Sequence, residues 1–224
     1  MHNTAVGFAA GEAITVGVQN TFIGSLSGDA TTTASNNTAV GYNSLSANTT
    51  GASNVAVGKD ALTANTTASN NIAIGVDAAT AITTGGSNVA IGTSALQTAT
   101  TAANNTAIGT SSLAANTSGT ANVAVGYAAL DANTTGGSNT ALGSSALGAN
   151  TTGSNHTAVG KDALLVSTAG GYDTAIGDSV LKANTSGNYN TGVGASALAA
   201  NTTTSNHTAV GYAALSSNTT GSSN

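Results

Sequence analysis

The sequence lacks cysteine, proline and tryptophan, and it has few charged or aromatic residues. Without cysteine, disulfide bonds are excluded and the redox compartment is left open. Charged residues make up 5% of the 224 residues, against roughly 25% in ordinary soluble proteins. The net charge is −5, and the three basic residues are Lys59, Lys161 and Lys182. Three lysines do not form a basic stripe, so no nucleic-acid partner is expected.

Long apolar segments are also missing. No segment reaches the roughly 18 consecutive apolar residues of a membrane-spanning helix, so no membrane span is expected. The first residues, Met1 to Thr4, lack the charged and then apolar pattern of a secretion signal. A repeat begins by Asn3 and runs into the last residues, which predicts that the chain is a piece of a longer protein.

That repeat is marked by a glycine every 17 residues. The series is Gly7, Gly24, Gly41, Gly58, Gly75, Gly92, Gly109, Gly126, Gly143, Gly160, Gly177, Gly194 and Gly211. It defines thirteen units of 17 residues from Asn3 to Ser223, whose positions we number 1 to 17. Disordered chains lack regularly placed β-branched residues, so the period indicates a repeat fold.

Each unit contains the signals of one solenoid coil. Position 2 is β-branched, position 3 is Ala in eleven units, position 4 is Val, Ile or Leu, and position 5 is Gly. Position 9 is Leu in ten units and position 13 is Thr in all thirteen. We predict strands at positions 2–4 and 12–14, joined by a glycine bend, a turn at positions 6–9 and a turn at positions 15–17. The fold class expected is an all-β parallel β-solenoid of thirteen coils.

Alternation along the first strand places positions 2 and 4 on one face and position 3 on the other. We expect positions 4 and 9 to form the inner aliphatic ladders and position 1 to form an Asn ladder. The Ala at position 3, replaced by Phe22 and Gly192 in two units, then forms an outward stripe. One Val or Ile and one Leu per coil make a thin core, at roughly 1.5–3 kcal/mol per large side chain. A homo-oligomer packed through the Ala stripe, a trimer or an end-to-end filament, would supply more burial; the alternative is that position 3 faces solvent.

The first two units differ from the others at position 9. They have Gly11 and Gly28 where later units have Leu. We therefore divide the chain into variant N-terminal coils, residues 1–36, and a regular repeat domain, residues 37–224.

The segments Asn37 to Leu45 and Asn20 to Gly24 resemble repeats of phage tail-fibre and adhesin-like proteins. Many of those proteins carry a self-cleaving chaperone of the endosialidase type, which is not present in this sequence. The Asn-x-Ala-Val/Ile-Gly core is also similar to the head repeat of trimeric autotransporter adhesins, a left-handed parallel β-roll. The resemblance covers residues 3–223 and implies a homotrimeric shaft that is extracellular or associated with a virion.

No catalytic, cofactor-binding or metal site is predicted, and the chain is not expected to be an enzyme. Asp60 and Asp77 share position 7 in adjacent units, which places them about 5 Å apart by the strand spacing. This separation fits a retaining glycosidase, but such an enzyme also needs a sugar-binding cleft. We expect solvated turn residues, with a weak cation site as the alternative. The pairs Lys59-Asp60 and Lys161-Asp162 indicate an exposed turn.

Two histidines occupy position 1, where most units have Asn. His156 and His207 are three coils apart, roughly 14 Å, so they do not share a metal within one chain. We expect each to replace Asn in its ladder.

Asn-x-Thr/Ser sequons recur at position 12, as at Asn48, Asn116 and Asn150. In a eukaryotic secretory pathway they are glycan acceptors. In a bacterial or phage protein they contribute turn and ladder hydrogen bonds, which is the interpretation we favour.

Three functions fit these patterns. The first is a structural fibre or stalk without catalysis. The second is an ice-binding solenoid that uses a Thr ladder at positions 13 and 14. The third is a glycan-binding adhesin, for which the tyrosines at position 6, Tyr42, Tyr127 and Tyr212, provide only a sparse site.

Overall fold

A computed structural model describes residues 2–221 and 223–224, which form thirteen short β-strands and no helix. Each strand has three residues and occupies positions 2–4 of its unit, as the sequence predicts. The strands are β1 (Thr4–Val6), β2 (Thr21–Ile23), β3 (Thr38–Val40), β4 (Val55–Val57), β5 (Ile72–Ile74), β6 (Val89–Ile91), β7 (Thr106–Ile108), β8 (Val123–Val125), β9 (Thr140–Leu142), β10 (Thr157–Val159), β11 (Thr174–Ile176), β12 (Thr191–Val193) and β13 (Thr208–Val210). Within the part that the structure describes, no helix is long and apolar enough to cross a membrane.

The chain forms two compact units, Met1–Ser111 and Ser112–Asn224. The first contains β1 to β7 and the second β8 to β13. In each unit, successive strands pair in parallel with an offset of 17 residues, as in Thr38↔Val55 and Ala39↔Ala56. Because the offset equals the period, each repeat position stacks on the same position of the next coil. The predicted parallel β-solenoid is confirmed.

The second predicted strand, at positions 12–14, is wrong. These residues form bends throughout the described chain. The Asn at position 12 points inward, and its side chain closes a short turn, since Asn48 Nδ2 donates to the carbonyl oxygen of Gly51 at 3.0 Å. A side chain bonded to backbone three residues ahead competes with a strand. Only position 13 keeps a backbone ladder here, as in Thr49 N to Thr66 O at 2.9 Å.

The predicted assignment of strand faces is also wrong. The Ala at position 3 is buried, as in Ala56 and Ala141, whereas position 4 is open to solvent, with Ile74 38% and Leu142 45% exposed. The Leu at position 9 is buried as predicted, for example Leu147. A large Leu therefore faces a small Ala across each coil. The coil is too thin for Leu opposite Val or Ile, which turns the branched side chains outward.

The exceptions at position 3 show how tightly this core is filled. Phe22 is buried rather than exposed on an outer stripe. A Cβ at Gly28 would lie 2.6 Å from the Phe22 ring, and one at Gly11 would lie 2.8 Å from it. The two glycines at position 9 therefore make room for the phenyl ring. The same exchange occurs at Gly192, where a Cβ would meet Val180 Cγ1 at 2.5 Å.

The predicted Asn ladder at position 1 is confirmed. The backbone N–H of Asn54 donates to Asn37 Oδ1 at 2.9 Å, and Asn54 Nδ2 donates to the carbonyl oxygen of Ala68 at 2.9 Å. Each buried amide thus satisfies backbone groups of its own and the adjoining coil. Without them these backbone groups would be buried without partners, at a cost of about 1–3 kcal/mol each.

Candidate interaction surface

The largest continuous surface feature is the outer side of the strands, which we call the strand face. It consists of the outward side chains at positions 17, 2, 4 and 6, which alternate with inward positions 1 and 3. Positions 2 and 4 hold only Thr, Val, Ile and Leu in all thirteen units. No charged side chain therefore lies along the centre of this face.

Exposed large apolar side chains are concentrated on the strand face. Of the eighteen found among the described residues, sixteen occupy its four positions, and the other two are Val16 and Leu215. The sixteen are Val6, Phe8, Ile23, Tyr42, Ile72, Ile74, Val76, Ile108, Val123, Tyr127, Leu142, Tyr172, Ile176, Tyr189, Val210 and Tyr212. Contiguous exposed apolar patches of this kind usually mark an interaction site.

The Thr ladder at position 13 lies outside the strands and is at least partly open to solvent. In the members with this bond, the hydroxyl Oγ1 donates to the carbonyl oxygen of the next Thr in the ladder, at 2.8–3.4 Å. They are Thr15, Thr32, Thr49, Thr66, Thr83, Thr117, Thr134, Thr151, Thr168 and Thr185. This bond fixes the rotamer, so the ladder is a rigid array. Position 14 beside it is exposed, as at Thr50 and Thr135.

The acidic pair considered as a catalytic dyad does not have the electrostatics of one. Asp60 forms a salt bridge with Lys59 at 2.6 Å and accepts a hydrogen bond from Asn43 Nδ2 at 2.7 Å. The Lys59 and Asn43 hydrogen bonds lower the pKa of Asp60, whereas a general acid needs a raised pKa. No pocket lies among the described residues. Lys161 and Lys182 likewise flank Asp162, at 3.9 and 3.4 Å.

The two histidines at position 1 do replace Asn in its ladder, as predicted. The backbone N–H of His156 donates to Asn139 Oδ1 at 3.0 Å, and that of His207 to Asn190 Oδ1 at 3.1 Å. The His207 ring is held by Thr204 Oγ1 at 2.8 Å. Both histidines are buried.

The ladder also contains a buried carboxylate that was missed in the sequence. Asp173 occupies position 1 of the unit after His156, and its Oδ2 lies 3.6 Å from His156 Nδ1. Both side chains are fully buried. Burial lowers the pKa of His156 to about 4 and raises the pKa of Asp173 to about 7. Alignment of the units by position would have placed these residues next to each other.

The same alignment would have revealed an aromatic pair. Tyr172 and Tyr189 share position 17 in adjacent coils, and their rings stack with centroids 5.2 Å apart and planes 11° from parallel. The three tyrosines considered from the sequence, Tyr42, Tyr127 and Tyr212, are exposed at position 6 in separate coils.

The sequon asparagines are inside the coil. Asn48, Asn116 and Asn150 are fully buried, and their Nδ2 atoms donate to the carbonyl oxygen at position 15, at 3.0–3.1 Å. Asn133 Nδ2 also donates to Asn116 Oδ1 at 2.9 Å. This second Asn ladder agrees with the turn and ladder interpretation, because a glycan requires the Nδ2 atom to be accessible.

No family model, no curated protein and no solved structure matches the chain. In the part of the chain that the structure describes, no group of three or more His, Cys, Asp or Glu side chains is placed to hold a metal ion. The strand face is therefore the surface feature with the most physical consequence.

Proposed function

We propose that the chain is a structural subunit of a fibre or stalk, without catalytic activity, and that copies of it associate through the strand face. The observation that carries this proposal is the exposed aliphatic ladder at position 4. Sheets made only of parallel strands are ordinarily covered on both faces. Here Leu and Ala of the same coil cover one face, and the chain itself leaves the other open.

A second copy of the chain is the partner that best fits this face. The face has no charge along its centre, so another charged protein gains little from it. Its side chains recur at about 4.8 Å along the coils, and an identical face has the same spacing. The earlier argument for a trimer rested on an outward Ala stripe, which is in fact buried. Position 4 now supplies the apolar surface, and the resemblance to trimeric adhesin repeats supports three-fold association.

The test is the oligomeric state of two matched variants. Ile74→Lys with Ile108→Lys places two charges on the strand face of the first unit. Thr67→Lys with Thr101→Lys places the same charges at position 14, which is exposed on another side of the coil. Sedimentation velocity at micromolar concentration should show a trimer for the parent chain and the position-14 variant. It should show a monomer for the strand-face variant, with an unchanged circular dichroism spectrum.

A parent chain that stays monomeric at these concentrations contradicts the proposal. Equal dissociation of both variants also contradicts it, because the charge and not its place would then be responsible.

The proposed place of action is extracellular, at a cell surface or on a virion. Three features support it: the adhesin-like repeat, the low charge and the uninterrupted period. A cell-surface glycan is the further partner expected of an adhesin stalk. Labelling of intact producing cells or purified virions with an antibody to the repeat would test this placement.

Ice binding is a second candidate function, favoured by the rigid Thr ladder at position 13. Fixed Thr side chains at a constant spacing present an ordered array of methyl groups to water. A thermal hysteresis measurement separates the candidates. Hysteresis at micromolar protein that disappears in Thr134→Lys with Thr151→Lys would support ice binding, and its absence would exclude it.

A further inference from the structure

Tyr172 and Tyr189 form the one stacked aromatic pair among the described residues, and both are largely open to solvent. Their exposed fractions are 58% and 59%. Stacking holds each ring against the other, so little side-chain freedom is left to lose when a ligand binds. The pair lies wholly within the second compact unit, on coils 10 and 11.

The backbone under the pair adopts an unusual conformation for tyrosine. The φ angles are 62° at Tyr172 and 57° at Tyr189. Left-handed φ values are tolerated by Asn but are genuine outliers for bulky residues. In the other units position 17 is Asn, Ser, Ala or Gln. Two adjacent units therefore accept a local cost for aromatic rings that the core does not use, which is the pattern expected of a functional position.

Each ring has one outer face that its partner does not cover. The outer face of Tyr172 is directed toward position 17 of coil 9, which is Asn155, and that of Tyr189 toward Asn206 in coil 12. Both asparagines are exposed. Since coils are spaced by about 4.8 Å, each ring forms the wall of a step whose floor carries an amide group. Asn188 and Ser154, at position 16, add further polar groups beside the pair.

No charged side chain occupies positions 16, 17 or 2 of coils 9 to 12. A ligand that uses these two steps is therefore neutral, with an apolar flat face for the ring and hydroxyl groups for the amides. We propose that the Tyr172–Tyr189 pair is a binding site for neutral carbohydrate, in which a pyranose ring stacks on an outer tyrosine face and its hydroxyls bond to Asn155 or Asn206. This site is independent of self-association through the strand face.

The test is titration of the purified chain with neutral hexasaccharides of glucose and N-acetylglucosamine, followed by tyrosine fluorescence and calorimetry. We expect saturable binding by at least one of them. Tyr172→Ala and Tyr189→Ala should each weaken binding by about tenfold or more, the loss typical of an aromatic contact residue. Tyr127→Ala is the matched control, because Tyr127 is as exposed but unstacked, and it should bind within about twofold of the parent chain.

Three results would overturn the site. They are no binding by any of these sugars, an equal loss in Tyr127→Ala, or dissociation of the oligomer by the Tyr172 and Tyr189 variants. The last result would assign the pair to a protein interface. Sedimentation of the same samples keeps this outcome separate from failure of the fibre proposal, which the Ile74 and Ile108 variants test.

Discussion

Single residues in this protein are constrained mainly by the coil above or below them. The glycine at position 5 is the clearest case. Gly143 has φ of 137°, and a Cβ there would lie 2.6 Å from the carbonyl carbon of Gly160. The close approach of two backbones, together with a left-handed φ, excludes any side chain. Every unit keeps this glycine because the coil spacing leaves no room for a Cβ atom.

Gly143→Ala should destabilise the chain by on the order of 3 kcal/mol, since both backbone strain and a steric clash oppose it. Gly148→Ala, five residues away in the same coil, is the control. Its Cβ would meet its nearest neighbour at 3.2 Å, and Ala114 and Ala199 occupy the same repeat position. Urea unfolding of both variants measures the difference; similar midpoints would show that the coils are free to separate.

The buried pair of His156 and Asp173 predicts opposite pH dependence for its two single variants. In Asp173→Asn, His156 stays buried with its pKa held near 4, against 6.5 when unfolded. The unfolded chain then binds more protons between these values. Stability present above about pH 6.5 is therefore lost as the pH falls, by on the order of 3 kcal/mol. Urea unfolding at pH 7 and pH 4.5 checks this.

In His156→Asn the sign is reversed. Burial raises the pKa of Asp173 to about 7, against 3.8 when unfolded. The folded chain then binds more protons between these values, so stability is lost as the pH rises through this range. In the parent chain the two slopes offset each other. A double variant with Asn at both positions restores the amide ladder and should be insensitive to pH; equal slopes in all four proteins would contradict this coupling.

At the scale of the coil, large and small side chains are exchanged across the core rather than varied independently. Val180 fills the space left by Gly192, and Phe22 fills the space left by Gly11 and Gly28. Packing at interior density leaves no other room for these changes.

The Val180 and Gly192 pair allows this exchange to be measured. Val180→Ala alone leaves a cavity and should cost about 2 kcal/mol. Gly192→Ala alone forces a Cβ against Val180 Cγ1 and should cost roughly 1–3 kcal/mol. The double variant has Ala at both positions, as most units do, and should be close to the parent chain in thermal stability. Additive losses would show that the two positions do not share one space.

The position of each strand could be predicted from the sequence, because β-branched residues before a recurrent glycine are a local signal. The direction of its side chains could not. Position 4 looks like a core position by hydropathy, but the coil is closed by Leu at position 9 and Asn at positions 1 and 12. These inward residues leave space only for Ala. The predicted second strand failed for the same reason, since the inward Asn at position 12 turns the chain.

The candidate site was only partly predictable. The histidines were placed correctly in the Asn ladder, because they replace Asn at a fixed position. Asp173 and the Tyr172–Tyr189 pair were missed, although their repeat positions are readable in the sequence. A charged residue in a thin core and a bulky residue at a left-handed turn contradict local preferences. Such exceptions become visible only when neighbouring units are compared position by position.

For the whole molecule, the unit of tolerance should be one full coil. In a repeat protein each unit contacts mainly its neighbours, so removing a complete unit rejoins equivalent surfaces. Deletion of residues 139–155 would bring His156 to the place where Asn139 now receives its bond from Asn122 Oδ1, at 3.0 Å. We expect this variant to fold, with a urea m-value reduced by about one coil in thirteen.

Deletion of residues 139–154 removes only one residue fewer, yet it shifts every later position by one. Such a slip would turn the strand faces over, placing Val and Ile where only Ala fits and Ala where position 4 is now exposed. This variant should unfold from the junction onward, seen as loss of slow amide hydrogen exchange after residue 154. Equal protection in the two deletions would mean that the 17-residue register does not determine which side chains are buried.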